Sequence, residues 1–278
     1  MRIRLVRLSI LLALCGSTLV FAAAQQTYYL ALGDSLAIGL QPSFGGDAPT
    51  NQGYADDLYA VLHTRISGLT LAKLGCAGET TTTMIQGGIC SYSAGSQLAA
   101  AVSFLETHHV RLITLDIGAN DIDHCISSTG IDPTCVATAL ITTSTNLPQI
   151  LTELRTAAGP ETPIVAMNYY DPFLAVWILG SEGQTLARAS VQVADQFNSL
   201  LQNVYEAFSV PVADVAYAYR MNDFTLIPFI NLPVNVFLTL TWTWVGAPPP
   251  RGPDIHPNAV GYAVIAGSFA EKIAIALE

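Results

Sequence analysis

The apolar positions along this chain fall into two rhythms. Residues 28–32, Tyr-Tyr-Leu-Ala-Leu, form an unbroken apolar run, which predicts a strand buried on both faces of a parallel sheet. Comparable runs at 69–74, 110–117 and 163–167 predict three more strands, and 211–215 predicts a fifth, at the sheet edge. Between them lie stretches with helical spacing at 54–66, 97–108, 133–158, 184–208 and 258–276; in the first, Leu58, Val61, Leu62 and Ile66 share one face. Strands alternating with helices predict an α/β fold: a three-layer α/β/α arrangement around a parallel sheet of about five strands. Residues 41–53, rich in Pro, Gly, Asn and Asp, read as a loop, and Pro148 is expected to kink or split the 133–158 helix.

One segment breaks the rhythm. Residues 224–250 contain no charged side chain, and within them Phe229, Ile230, Val236, Phe237, Leu238, Trp242 and Trp244 crowd together. The length allows a membrane span, but Pro228, Pro233, Asn231 and Asn235 argue against one. A buried excursion or an apolar rim beside a site fits better. A shorter apolar loop, 173–179, follows the fourth strand and carries Trp177.

The N-terminus reads as processing rather than structure. Arg2, Arg4 and Arg7 precede an apolar run at 8–21 and then Ala22-Ala23-Ala24, the order of a secretory signal peptide cleaved after Ala24. This leaves residues 25–278 as one domain. Losing three arginines and no acids takes the formal charge from −10 to −13, which disfavours nucleic acid as a partner and gives no reason to expect anionic lipid surfaces. The apolar run at 8–21 is too short to span a bilayer comfortably, so no stable membrane insertion is expected. A secreted, extracellular monomer is expected. Cys15 leaves with the leader, and Cys76, Cys90, Cys125 and Cys135 remain, an even number in an exported chain. The pairs Cys76–Cys90 and Cys125–Cys135 each close a short local loop. No Cys-x-x-Cys spacing supports zinc instead.

The strand ends then supply chemistry. Gly33-Asp34-Ser35 breaks the first run and places a serine at the carboxyl end of a strand, where open α/β sheets bind ligands. Gly78 offers a backbone N–H, Asn120 a carboxamide, and His256 an imidazole. A serine needs a base to become nucleophilic, and acyl transfer needs fixed donors for the oxyanion. These four groups form a complete set. The Gly-x-Ser-x-Gly elbow of α/β-hydrolases is absent, because Ala37 stands where its second glycine belongs.

Taken in order, Gly33-Asp34-Ser35-Leu36, Gly78 in GCAGET, Gly118-Ala119-Asn120-Asp121 and Asp254-Ile255-His256-Pro257-Asn258 resemble the four sequence blocks of the SGNH, or GDSL-type, hydrolase family. The likeness spans residues 28–262 and is greatest to the secreted bacterial esterase and lipase branch. It implies a flavodoxin-like fold, Ser35 as nucleophile, His256 as general base and acid, and Ser35, Gly78 and Asn120 as the oxyanion hole, with no cofactor. The chain departs from the family at the third triad position. The usual Asp-x-x-His would put the acid at Pro253; here Asp254 is the available carboxylate, with the main-chain oxygens of 251–254 as the alternative.

Asp121, Asp123 and His124 are read as capping a turn rather than holding a metal, Glu79 as fixing the turn at Gly78, and Asp171 as starting a turn. The expected function is ester hydrolysis on a small-molecule or lipid ester, with the apolar loops at 173–179 and 224–244 forming an acyl-chain pocket. A carbohydrate or cell-wall deacetylase and a non-catalytic secreted binding protein are the alternatives.

Overall fold

The computed structural model describes residues 26–127 and 129–276; the expected leader at 1–24, with Cys15 and the cleavage site after Ala24, lies outside the described residues. Five parallel strands form the central sheet: β1 (Thr27–Gly33), β2 (Leu69–Lys73), β3 (Val110–Asp116), β4 (Ile164–Met167) and β5 (Val212–Ala213). Their order in space is β2-β1-β3-β4-β5, the flavodoxin-like order. The chain moves outward from β1 to β2, then crosses back over β1 to begin β3. That reversal leaves a crevice between the carboxyl ends of β1 and β3.

The unbroken apolar runs are explained by burial on both faces. In β1, Tyr29, Leu30, Ala31 and Leu32 have no exposed surface, and in β3 Leu112, Ile113 and Leu115 are equally enclosed. Helices Tyr54–Leu62 and Ala259–Ala276 pack together in one outer layer; Gln97–Thr107, Pro133–Ala158 and Ser181–Ala207 make the other. The Pro133–Ala158 helix runs through Pro148 without splitting. Leu147, Ile150, Leu151 and Leu154 are buried around the proline, and this packing offsets the hydrogen bond that it cannot donate.

Two parts of the sequence fold differently from their expectation. The loop at 41–53 contains an antiparallel hairpin, Leu40–Ser43 with Gly46–Pro49. The charge-free segment contains a helix, Val234–Trp242, which packs on the 3₁₀ turn Pro172–Leu179. Together they bury Leu174, Trp177, Val191, Met221 and Val236 in a second, smaller core. The Arg188 guanidinium lies 4.9 Å from the Trp177 ring centre and 4.4 Å from that of Phe224, closing this core with a cation–π clip. Among the described residues no helix is long and apolar enough to cross a membrane. The sulfurs join Cys76 to Cys90 and Cys125 to Cys135.

Candidate active site

Ser35 lies two residues beyond β1, in a turn that only glycine can open. Gly33 has φ +132°, and a Cβ there would stand 1.8 Å from the Asp116 carbonyl oxygen at the end of β3. This close approach draws the serine turn against the neighbouring strand, where the Asp34 N–H donates to Asp116 O at 3.0 Å. The side chains repeat the link. Asp34 accepts from the Leu36 N–H at 2.9 Å and from the Tyr169 hydroxyl at 3.3 Å, while Asp116 accepts from the Tyr54 hydroxyl at 2.6 Å and the Ala37 N–H at 3.1 Å. Burial, then the charge of Asp34, raises Asp116 well above the usual carboxylate range. Burial raises Asp34 as well, against the bonds from the Leu36 N–H and the Tyr169 hydroxyl, so both carboxyls beneath the turn are shifted toward their neutral forms.

His256 comes to Ser35 from the far end of the chain. Its Nε2 is 2.9 Å from Ser35 Oγ, and its Nδ1 is 2.8 Å from Asp254 Oδ1. The same carboxylate oxygen accepts the His256 backbone N–H at 2.9 Å. Burial works to raise the Asp254 pKa, but the hydrogen bond and charge of His256 outweigh it, and the net shift is downward. This short loop is pinned on both sides: Trp244 N donates to His256 O at 2.9 Å, Asn258 N to Trp242 O at 2.9 Å, and the Tyr170 hydroxyl to Ile255 O at 2.7 Å. The end of the charge-free segment therefore supports the imidazole.

Asn120 follows β3, in the short helix Ala119–Ile122. Its Nδ2 donates to the Glu79 carbonyl at 3.0 Å, which fixes the amide and binds the Asn120 turn to the Gly78-Glu79 turn. The Glu79 N–H is taken by Cys76 O, whereas among the described residues the backbone N–H groups of Ser35 and Gly78 have no protein acceptor. Backbone donors left unpaired beside a nucleophile can receive a developing oxyanion. Asp121, as expected, caps a turn: its two oxygens accept from the Thr81 N–H at 2.8 Å and the Thr81 hydroxyl at 2.7 Å.

Gln97 escaped the sequence reading. Wholly buried at the start of its helix, it accepts from Gly33 N at 2.7 Å and donates to Gly33 O at 2.8 Å and to Glu79 Oε2 at 2.9 Å. One amide thereby locks the serine turn to the Gly78-Glu79 turn. The only signal was a glutamine at the head of an otherwise apolar helix face. Gln97→Leu is expected to lower stability by about 3 kcal/mol, since it strands three buried partners, and to reduce kcat more than it changes KM. Thermal denaturation and steady-state kinetics check both.

A cavity opens beside these groups, lined by Ser35, Asn120 and His256 and walled by Ile122, Ile126, Phe173, Val193, Ala194 and Phe197. The expected walls are corrected here. Of the 173–179 loop only Phe173 lines the cavity, and nothing from 224–244 does: Leu174, Trp177 and Val236 are buried in the second core, while Ile178, Leu179, Leu226, Phe229 and Ile230 are exposed. The Ser181–Ala207 helix supplies that wall instead. Among the described residues two groupings have metal-like composition. In His124, Cys125 and Cys135 both sulfurs are spent in a disulfide; Asp47, exposed on the hairpin, stands near Asp254 and His256, with ligand atoms within 4.8 Å of one another.

A sequence model of the GDSL-like lipase/acylhydrolase family matches residues 31–264. No curated protein is significantly similar to the chain in sequence. Among solved structures the fold resembles phospholipase A1 from Streptomyces albidoflavus NA297 at TM-score 0.53 and 18% identity, over 88% of this chain and 98% of that one. An extracellular lipase from Streptomyces rimosus aligns at 0.55 and 17%, over 88% and 99%. A carbohydrate acetylesterase from Sinorhizobium meliloti aligns at 0.52 and 14%, over 90% and 99%.

Proposed function

The chain belongs to the GDSL-like lipase/acylhydrolase family, and from that premise we propose that it is a secreted serine esterase working through an acyl-enzyme. The observation that carries this reading is the continuous line of contacts from Asp254 through His256 to Ser35, at 2.8 and 2.9 Å. His256 takes the Ser35 proton as the oxygen attacks the ester carbonyl, and Asp254 holds the imidazole in the tautomer with Nε2 free to accept it. The unpaired N–H groups of Ser35 and Gly78, with the Asn120 amide, receive the oxyanion. His256 then protonates the departing alcohol, and water repeats the sequence to release the acid.

Residues 25–278 act as one exported hydrolase domain of the secreted bacterial branch. The leader-like order of residues 1–24 supports export, as do two disulfides, which persist in oxidising compartments. The cavity beside Ser35 favours carboxylic esters with a short or medium apolar part, because its walls combine aliphatic and aromatic side chains within a confined space. The folds shared with a phospholipase and with a carbohydrate acetylesterase leave two ester classes to compare. Nitrophenyl esters from acetyl to palmitoyl, together with acetylated sugars, make the comparison on purified mature protein. Best turnover is expected at short to medium acyl chains. Activity confined to acetylated sugars would replace the esterase reading with the deacetylase one, and absence of both turnover and fluorophosphonate labelling would leave a binding protein.

A further inference from the structure

The cavity beside Ser35 contains more polar groups than the proposed ester chemistry needs, and all but one are already committed. Asp171 accepts from the Phe173 N–H at 2.8 Å and the Ser190 hydroxyl at 2.6 Å. Asn198 exchanges two bonds with the Tyr169 backbone, at 2.9 and 2.8 Å, and the Tyr169 and Tyr170 hydroxyls donate to Asp34 and to Ile255 O. Asp123 lines the same cavity, is half-buried, and among the described residues its carboxyl has no hydrogen-bond partner. Its oxygens are not sealed off, so the structure keeps a free carboxyl facing the space that substrate would occupy.

Among the described residues no protein group answers this carboxyl, so the partner it can take is one that enters the cavity. The carboxyl is also held in place. Asp123 begins the turn Asp123–Cys125, whose last residue is tied to Cys135, so the carboxyl is presented from a cross-linked support.

We propose that Asp123 is a specificity-determining residue that hydrogen-bonds a hydroxyl group on the substrate, a few atoms from the ester carbonyl. This rests on the esterase reading above and narrows its substrate class. Burial first, then the charges of Asp171 and Asp34, pushes the Asp123 pKa up to about 8, so at neutral pH the group is mainly a neutral acid. A neutral carboxylic acid both donates and accepts, as a hydroxyl does, and the match needs no charge on the ligand. The hydroxyl can belong to a hydroxylated acyl chain or to a polyol or sugar leaving group.

Matched ester pairs differing by one hydroxyl test the assignment in wild type, Asp123→Asn and Asp123→Leu. One pair is butyrate against 4-hydroxybutyrate with the same leaving group; the other is an alkyl acetate against a glycerol or sugar acetate. Wild type is expected to favour the hydroxylated member of at least one pair by about tenfold in kcat/KM, the scale for a buried hydrogen bond made or lost. Asp123→Leu should erase that preference and retain or improve turnover of the plain ester, while Asp123→Asn should keep part of it. Whichever pair responds identifies the source of the hydroxyl. Equal preference in wild type and Asp123→Leu on both pairs overturns the assignment, as does an Asp123 effect confined to choline esters, which carry a cation and no hydroxyl. Fluorophosphonate labelling of all three proteins separates this from failure of the esterase reading, which would abolish labelling in wild type itself.

Discussion

Ser35→Ala and His256→Ala are each expected to lower ester hydrolysis by about four orders of magnitude or more without unfolding the protein, the usual consequence of removing a member of a serine–histidine pair. Ser35→Ala deletes only a hydroxyl whose contact is His256 Nε2 at 2.9 Å; the turn itself is held by backbone bonds, among them Leu40 N to Ser35 O at 3.0 Å, which alanine preserves. The variant should therefore melt near wild type and fail to react with a fluorophosphonate. His256→Ala keeps the hydroxyl but removes its base. The main-chain bonds from Trp244 N to His256 O and from the Tyr170 hydroxyl to Ile255 O retain the loop, so the loss should fall on kcat. The two losses are also expected to be non-additive, because a serine without its base and a base without its serine disable one step. Hydrolysis by Ser35→Ala at more than a few per cent of the wild-type rate would remove this serine from the mechanism.

The parts of the fold that could be read from sequence are those where one physical demand dominates. β1 and β3 are buried on both faces, so their side chains had to be apolar throughout, and the turn at Gly33 had to be glycine because Asp116 O occupies the space a side chain would need. Elements governed by competing demands were hidden. The hairpin at 40–49 is written in Pro, Gly and Asp, a composition that reads as loop. The Val234–Trp242 helix buries Val236 in the second core while Trp242 packs against the main one, so no single stripe marks it. Val193, Ala194 and Phe197 share a long amphipathic helix with buried Val191 and Leu201, and nothing local distinguishes residues facing a cavity from residues facing the core. The charge-free 224–245 segment shows the cost of reading apolar character as a ligand surface. Val236 is buried in the second core, Trp242 packs on the main one, Phe229 is exposed, and the segment's contribution to the site passes through backbone groups at Trp242 and Trp244.

Asp254 is where this chain departs from the acid spacing usual in its relatives, and Asp254→Asn is the informative change there. The carboxylate oxygen that accepts the Nδ1 proton of His256 at 2.8 Å also accepts the His256 backbone N–H at 2.9 Å, so a residue two before the histidine reaches it by curling back over its own turn. Asparagine keeps the volume and can keep the backbone bond, but it presents no negative charge to an imidazolium and can turn an N–H toward Nδ1, favouring the tautomer whose Nε2 carries the proton. Loss of kcat by about 10²–10⁴ with little change in KM is expected, the range seen when the orienting acid of such a triad becomes an amide. Stability should respond with a definite sign. The Asp254 pKa is lowered in the folded state because the bond and charge of His256 outweigh burial, so its contribution is present above the ordinary carboxylate range and disappears as pH falls through the depressed folded value. Wild type should melt above Asp254→Asn at pH values above the ordinary carboxylate range, and the difference should close in strong acid. If instead the variant retains most of its kcat, a main-chain oxygen of 251–254 is orienting the imidazole and the carboxylate serves only to shape the turn.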